Sequence, residues 1–569
     1  MPTEDLIAQE SAVRRRSDAS GSAWMAFFSR PLGQWLSVSV LLAIAILRIV
    51  ATYHVFNHTI DEPSHIAGGI EWWEKGTYTL ETKHTPLARI SVALGPYLAG
   101  VRGTGANIWF ETYPILSENG HYWRNLTLGR IGVLPYLIIA TVVVFLWTRR
   151  LYGPVAALLA TAVFTQLPVI LAHSAVATTD VPLMAMFCWS LYAFTRWLRE
   201  PSLRNAAEFG VATGLAVSTK LSTLVYLPAC GIPILVAYAL AGERPWRKVL
   251  RSAAIVIFCA ALATWGVYRF SHAPLSQVTH LPDHAAAKIF GKGTRITGAV
   301  GAVTRHLPVP APEFVDGIRM LRHQNRMGSR GYLFGHVRQG GWWYFFFVAL
   351  SLKTPLAVLL LAAVGAIMVA VRYRRDRSHW ELAAPLIAAA MIMISSTPSK
   401  LDSGVRYVMP VFVFIAILSG FALSMLWERQ SQRMLSRVTA VLLFTWLALS
   451  SARAHPDYLS YFNELAGRDP SRYIIIGDLD WGQDLTRLSA YLREHSITHV
   501  SIAEDNYFDP APLGFPPTEL IQCHQRPSGW VAIDLRGSRV RSECFPWLAG
   551  QHPIAKVGKT ITVYYLEGS

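Results

Sequence analysis

The sequence predicts a polytopic α-helical membrane protein of about eleven or more spans, closed at its C-terminus by a small extracytoplasmic α/β domain. Three observations predict this class. Of 569 residues, 52% are hydrophobic and 15% are charged, well under the roughly 25% charged of an average soluble domain. The apolar residues gather in runs of about 20, the length that crosses a hydrocarbon core. The formal charge of +16 falls in short basic clusters between those runs, the signature of the positive-inside rule. Together they exclude an ordinary water-soluble enzyme and a disordered chain, and they give no reason to expect nucleic acid as a partner. Five Cys are too few for a disulfide scaffold.

The first apolar run, 35–53, is as long as a span and lacks a small-residue cleavage site, so it reads as a retained anchor. Further runs begin near Ile131, Val155, Pro182, Ala206, Leu221, Ala253, Pro355, Leu382, Tyr407 and Val438. The two near Ala206 and Leu221 are separated by Ser218-Thr219-Lys220 and form either a tight hairpin or one broken element. Basic residues at 14–16, 149–150, 196–204, 244–251, 372–377 and 429–437 fill alternate connections. Placed in the cytoplasm, they make 1–33 a cytoplasmic tail and 34–453 the membrane domain. The long loops 54–130 and 271–341, a short one at 175–180, and the tail 454–569 then lie outside. In the tail, β-branched runs at 473–476, 498–502, 530–533 and 561–565 alternate with a helical stretch at 481–494, which suggests a small α/β domain. Cys523 and Cys544 lie there, on the oxidising side, where they can pair. Cys188, Cys230 and Cys259 fall in spans as packing residues.

Charges at a bilayer boundary are costly and tend to mark function. The first outer loop opens with Asp61-Glu62-Pro63. One reading is the start of a helix, with a carboxylate before Pro complementing the helix dipole. The other is a general base at the membrane surface. The two readings are compatible. Lys83-His84-Thr85-Pro86-Leu87 is either a turn with a snorkelling Lys or a contact for phosphate or metal. His54, His58 and His65 lie nearby at no zinc spacing. Asp180, in Thr179-Asp180-Val181-Pro182, reads as an N-cap that faces the same boundary as Asp61. Lys353 and Arg406, the latter next to Tyr407, sit at span ends on the outer side, against the charge bias. Outer carboxylates and cations at headgroup level suit a lipid phosphate reacting with a hydroxyl or amine, with a carboxylate taking the proton and cations or a metal stabilising the leaving phosphate. A lipid or polysaccharide transporter is the alternative. Its charges would be expected through the midplane rather than at one boundary.

The ordered set Asp61-Glu62, Lys83-His84-Thr85-Pro86-Leu87, Thr179-Asp180-Val181-Pro182-Leu183, Lys353-Thr354-Pro355 and Arg406-Tyr407 with Pro410 resembles glycosyltransferase family 39 over nearly the whole chain. The tail string Asp478-Leu479-Asp480-Trp481-Gly482-Gln483-Asp484-Leu485 resembles a motif of a bacterial subgroup. The resemblance implies a GT-C fold in a bacterial inner membrane. The implied reaction moves a sugar from a polyprenyl-phosphate carrier, with inversion, to a lipid, glycan or protein acceptor on the outer face. It makes Asp61 the catalytic carboxylate, supported by Glu62. It makes Lys83, His84, Lys353, Arg406 and Tyr407 candidates for the donor phosphate, and Asp180 a candidate for acceptor or metal, with His84 the second metal candidate. A divalent metal is the one cofactor it raises. The third outer loop has no β-trefoil of the kind eukaryotic protein mannosyltransferases carry, so the acceptor is not implied. In the tail string, Asp480 or Asp484 fits a helix cap, and an exposed Trp481 would suit stacking against sugar.

Overall fold

The computed structural model describes residues 30–105, 107–108, 114–242, 245–274, 308–428, 433–503 and 509–567, with the isolated positions 28, 294, 295, 298, 299 and 306. The basic residues 14–16, residues 244 and 429, and loop residues 275–293 lie outside the described set.

Helix α1 (Pro31–Val50) starts with its proline at the first turn, where no backbone donor is lost. Leu32, Leu36, Val40, Ile44 and Leu47 form one exposed stripe, while Val38, Ala45 and Ile49 are buried on the other side. An apolar face left open along a whole helix is what lipid contact requires. The long loop after it folds into α2 (Glu62–Lys75), α3 (Pro86–Leu98) and α4 (Tyr122–Ile131). Then comes α5 (Leu134–Gln166), broken at Gly153 with φ 88° ahead of Pro154, so the runs near Ile131 and Val155 are its two arms. Short α6 (Pro168–Ser174) leads to α7 (Asp180–Arg199), α8 (Leu203–Thr219), α9 (Thr223–Ala239) and α10 (Trp246–Val267). Gly210 and Gly214 let α8 lie against α10: a Cβ at either would sit 2.5 Å from the backbone oxygen of Val256 or Ala260. Small residues at this spacing are how membrane helices approach closely.

The segment after α10 carries the ribbon of β1 (His272–Pro274) with β2 (Pro308–Pro310), helix α11 (Pro312–Met327), and the hairpin of β3 (Arg330–Leu333) with β4 (His336–Gln339). Helices α12 (Phe345–Lys353), α13 (Leu356–Arg375), α14 (Trp380–Ser396), α15 (Val411–Glu428) and α16 (Arg433–Arg453) complete the membrane part.

Every expected apolar run is therefore a helix. Among the described residues, seven helical stretches are long and apolar enough to cross a membrane, namely Pro31–Val50, Tyr122–Gln166, Trp246–Val267, Leu356–Arg375, Arg377–Ser396, Val411–Glu428 and Arg433–Arg453. This is a multi-pass membrane protein. Seven is fewer than the eleven expected. One reason is that the two arms of α5 run on as one stretch. The others are the helices α7, α8 and α9, of which α8 and α9 are 17 residues long.

The tail holds α17 (Leu485–Glu494) and β5 (Val500–Ala503), β6 (Thr518–Leu520), β7 (Gly529–Asp534), β8 (Ala555–Val557) and β9 (Ile561–Leu566) in one sheet of order β6-β5-β7-β9-β8. β5 runs parallel to both neighbours, with Ser501 opposite Val531, and β9 runs antiparallel to β7 and β8. Cys523 and Cys544 form a disulfide. Two expectations fail here. Residues 473–476 are not a strand, since only an isolated bridge joins Ile476 to Asp480. The helix begins at Leu485 rather than at 481, because Gly482 has φ 79°, outside the helical region. A single apolar core runs from Leu137, Phe414 and Val408 into Leu485, Leu488, Val500 and Val563, so the tail is packed onto the membrane part.

Candidate active site

Three carboxylates stand at the starts of helices α2 and α7, and their surroundings differ. Asp61 is the N-cap residue of α2 but makes no side-chain cap bond. Its Oδ2 receives Arg406 Nη1 at 2.5 Å, and its side chain is 31% exposed. Burial alone would raise its pKa. The charge of Arg406 against it outweighs that and holds the carboxyl well below the usual range.

Glu62 is fully buried. Its Oε1 accepts from Arg130 Nε and from the Ala177 backbone N–H, each at 2.9 Å. Its Oε2 accepts from Thr59 N–H at 2.7 Å and from Arg130 Nη2 at 3.1 Å. The contact back to Thr59, three residues earlier, closes the turn that leads into α2. Arg130 spends its remaining donors on the carbonyls of Tyr53, Phe56 and Asn57, at 2.7, 3.1 and 2.8 Å. The pair thus ties together the loop after α1, α4 and the turn before α7.

Asp180 opens α7 and is 1% exposed. Lys220 Nζ donates to its Oδ1 at 2.6 Å and lies 4.8 Å from the centre of the Tyr407 ring. The expectation that Asp180 is an N-cap does not hold, because the N-cap residue is Thr179 and no side chain caps it. Lys220 comes from the break between α8 and α9. In the sequence it marked a loop, and nothing local pointed to chemistry.

The Lys83-His84 block forms a second cluster beside the first. Glu81 receives Lys83 Nζ at 2.7 Å and also pairs with buried Arg89. Arg89 Nε donates to His65 Nδ1 at 3.2 Å, and the His65 and His84 rings meet edge to face at 5.0 Å. Burial and the Arg89 charge push His65 down to about 3, and burial holds His84 well below its ordinary value, so both imidazoles are neutral at pH 7. Glu81 and Arg89 were not singled out in the sequence, although an acid two residues before Lys83 is a visible signal.

Lys353 is buried, and its ammonium donates to the carbonyls of Leu459 at 2.6 Å and Asp478 at 2.7 Å. The tail string is equally occupied. Asp478 receives Val405 N–H on both oxygens, at 3.0 Å each. Asp480 accepts from the N–H groups of Gly482, Leu535 and Arg536, and Asp484 from those of Lys559 and Thr560. Neither caps α17 through its side chain. Trp481 is not exposed, as sugar stacking would need. It is 3% accessible, with Arg406 Cζ 4.2 Å from its ring centre. His173, also buried, approaches the Trp481 ring at 5.9 Å.

Among the described residues, no three His, Cys, Asp or Glu side chains gather as metal ligands would. Asp180 pairs with Lys220, and the His84 ring faces His65.

The family described as dolichyl-phosphate-mannose-protein mannosyltransferase matches residues 127–268. That segment contains Arg130, His173, Asp180 and Lys220. No curated protein matches the chain. Among solved structures, the chain is similar to the Saccharomyces cerevisiae protein O-mannosyltransferase Pmt1-Pmt2 complex bound to the sugar donor, with TM-score 0.54, 11% identity, and 87% of this chain and 95% of that one covered. ArnT from Cupriavidus metallidurans bound to undecaprenyl phosphate is similar at TM-score 0.49 and 13% identity, with 94% and 99% covered. The archaeal oligosaccharyltransferase AglB from Archaeoglobus fulgidus, in complex with an inhibitory peptide and a dolichol-phosphate, is similar at TM-score 0.47 and 12% identity, with 90% and 70% covered. The first of these likenesses shows a shared fold.

Proposed function

We propose that the chain, whose residues 127–268 match the family described as dolichyl-phosphate-mannose-protein mannosyltransferase, is a glycosyltransferase that takes a sugar from a polyprenyl-phosphate donor and transfers it on the outer face of a bacterial inner membrane, with Asp61 as the base. In this reading 34–453 is the membrane catalytic domain, with every apolar helix embedded and eleven passes in all. Residues 454–569 are the outer domain, and the N-terminus is cytoplasmic.

One observation carries the assignment. Of the three carboxylates, Asp61 alone is open to an incoming group, at 31% side-chain exposure, while Glu62 and Asp180 are buried and paired. The acceptor hydroxyl or amine attacks the anomeric carbon and gives its proton to Asp61. The bond from that carbon to the phosphate oxygen breaks, and polyprenyl phosphate departs from the opposite face, so the configuration inverts.

Without donor, Arg406 sits on Asp61 and keeps it a weak base. A donor phosphate between Arg406 and Lys220 draws the guanidinium away, so Asp61 loses its neutralising charge as the reacting bond arrives. Cations placed where phosphate charge develops are the usual source of such stabilisation. In this reading Lys83, 23% exposed, and Tyr407 meet the incoming donor, while His84 packs on His65. Lys353 anchors the tail through the carbonyls it binds, and Glu62 holds the loop that carries Asp61. Asp180 orients Lys220.

The test is mass spectrometry of envelope lipids and glycans from a deletion strain carrying either the wild-type chain or Asp61→Asn. A base worth roughly 10²–10⁴-fold predicts loss of a sugar-bearing product in the variant strain at equal protein level. A product restored to the wild-type amount overturns the assignment.

A further inference from the structure

The tail string 478–485 touches both halves of the Asp61–Arg406 pair, and the mechanism above leaves this unused. On the Arg406 side, the two oxygens of Asp478 hold the Val405 N–H at 3.0 Å. The loop around Ser403 and Gly404 passes the loop around Gly477 backbone to backbone. Gly404 has φ 96° and Gly477 φ 74°; a Cβ on Gly477 would lie 2.7 Å from Ser403 O, and one on Gly404 would lie 3.1 Å from Gly477 C. Only glycine suits both demands at once. Arg406 Nε is fixed to the Ser403 carbonyl at 2.9 Å, and its guanidinium lies on the Trp481 ring, 4.2 Å from the centre.

On the Asp61 side, the Trp481 carbonyl accepts the Ile60 N–H at 3.2 Å. The Asn57 side chain bridges the Gly482 carbonyl at 2.7 Å and the Leu485 N–H at 2.9 Å. The Trp481 backbone is braced, since its main-chain N–H donates to Gln483 Oε1 at 2.7 Å, and Gln483 Nε2 reaches back to the Leu479 carbonyl at 2.9 Å.

We infer that Trp481 is a positioning residue for the donor phosphate: the outer domain inserts its indole beneath Arg406 and fixes the guanidinium where it pairs with Asp61 or with phosphate. The active site is then incomplete without the tail, and the tail acts through a cation rather than through an acceptor. A guanidinium released by Asp61 during turnover needs a second support that does not compete for its hydrogen-bond donors. A π face provides that, since it attracts the cation while leaving its edge free. The inference rests on the reading of Arg406 as a phosphate ligand.

The test is binding of undecaprenyl phosphate, as probe, to the full chain in nanodiscs, with unfolding temperature recorded for each variant. Trp481→Leu weakens binding about 10-fold and Trp481→Phe, which keeps a π face, restores most of it. In an Arg406→Lys background, whose ammonium does not lie flat on the ring, Trp481→Leu costs less than about 3-fold, a non-additivity that marks a shared path. Equal losses in both backgrounds, or a Phe variant as weak as the Leu variant, overturn the inference. Where the Leu variant does not fold, the Phe variant runs the same cycle, with a loss of about 3-fold expected beside Arg406 and none beside Lys at 406; a loss in both or in neither overturns it. Arg406→Ala separates the two readings. Unchanged probe binding in that variant refutes the phosphate role of Arg406 itself, whereas weakened binding with an additive cycle refutes only the role of Trp481.

Discussion

Glu62 and Arg130 form a buried ion pair whose worth can be reasoned from its partners. Both side chains are essentially inaccessible, at 0% and 2% exposure. Removing Glu62 leaves the Arg130 guanidinium buried with three carbonyls and no opposing charge. It also orphans the N–H groups of Thr59 and Ala177. Breaking one side of a buried pair costs about 3–5 kcal/mol, and each unsatisfied buried donor about 1–3 kcal/mol. The terms overlap, so Glu62→Ala is expected to cost about 4 kcal/mol or more, a large share of the ~5–15 kcal/mol that holds a typical protein folded. Replacing both partners with apolar residues of similar volume, Glu62→Leu with Arg130→Met, is expected to recover most of that loss, because no uncompensated charge remains. The assay is thermal unfolding of the purified chain in nanodiscs for both single variants and the double variant. A Glu62→Ala protein that unfolds at the wild-type temperature refutes the structural role. If it also loses transfer, Glu62 belongs to the chemistry.

The tail makes two further predictions. Burial and the neighbouring Asp480 charge hold the Asp534 carboxyl above the usual range, and its Oδ2 has no hydrogen-bond partner. With the folded-state pKa above the unfolded one, the folded state binds more protons in between, so stability falls as pH rises from about 4 through the raised value. Asp534→Asn, whose side-chain oxygen still serves the Gly537 N–H, is expected to raise the unfolding temperature at pH 7.5 and to flatten that slope; an unchanged pH profile counts against it. The Cys523–Cys544 disulfide closes a loop with a sequence separation of 21, for which chain entropy suggests about 3 kcal/mol. Cys523→Ser is accordingly expected to unfold the tail several degrees earlier in a urea or thermal series, and an unaltered midpoint would contradict it.

The legible part of this protein is the part governed by local composition. Every apolar run expected from the sequence is a helix, because a run of Leu, Ile, Val and Ala must satisfy its backbone internally in a bilayer. Asp61, Glu62, Asp180 and Arg406 were visible as charges at span ends. Their division of labour was not visible. Glu62 and Asp61 are adjacent in sequence, yet one points into Arg130 and the other toward solvent and Arg406. Lys353 and Arg406 look alike as basic residues at span ends, but Lys353 is occupied by the Leu459 and Asp478 carbonyls, more than a hundred residues away.

The string 478–485 marks the limit most sharply. Its carboxylates and Trp invited a reading as cap or sugar contact. Folded, each carboxylate collects backbone N–H groups from distant loops, and the indole lies under a guanidinium. Hydropathy and charge bias depend on which residues are present and how they are spaced, so the membrane class, the helices and the place of the acids at span ends follow from the chain alone. Which acid is free, which cation is spent and what covers Trp481 depend on contacts between segments some 70 to 430 positions apart. A sequence carries no record of such distances until packing brings the segments together.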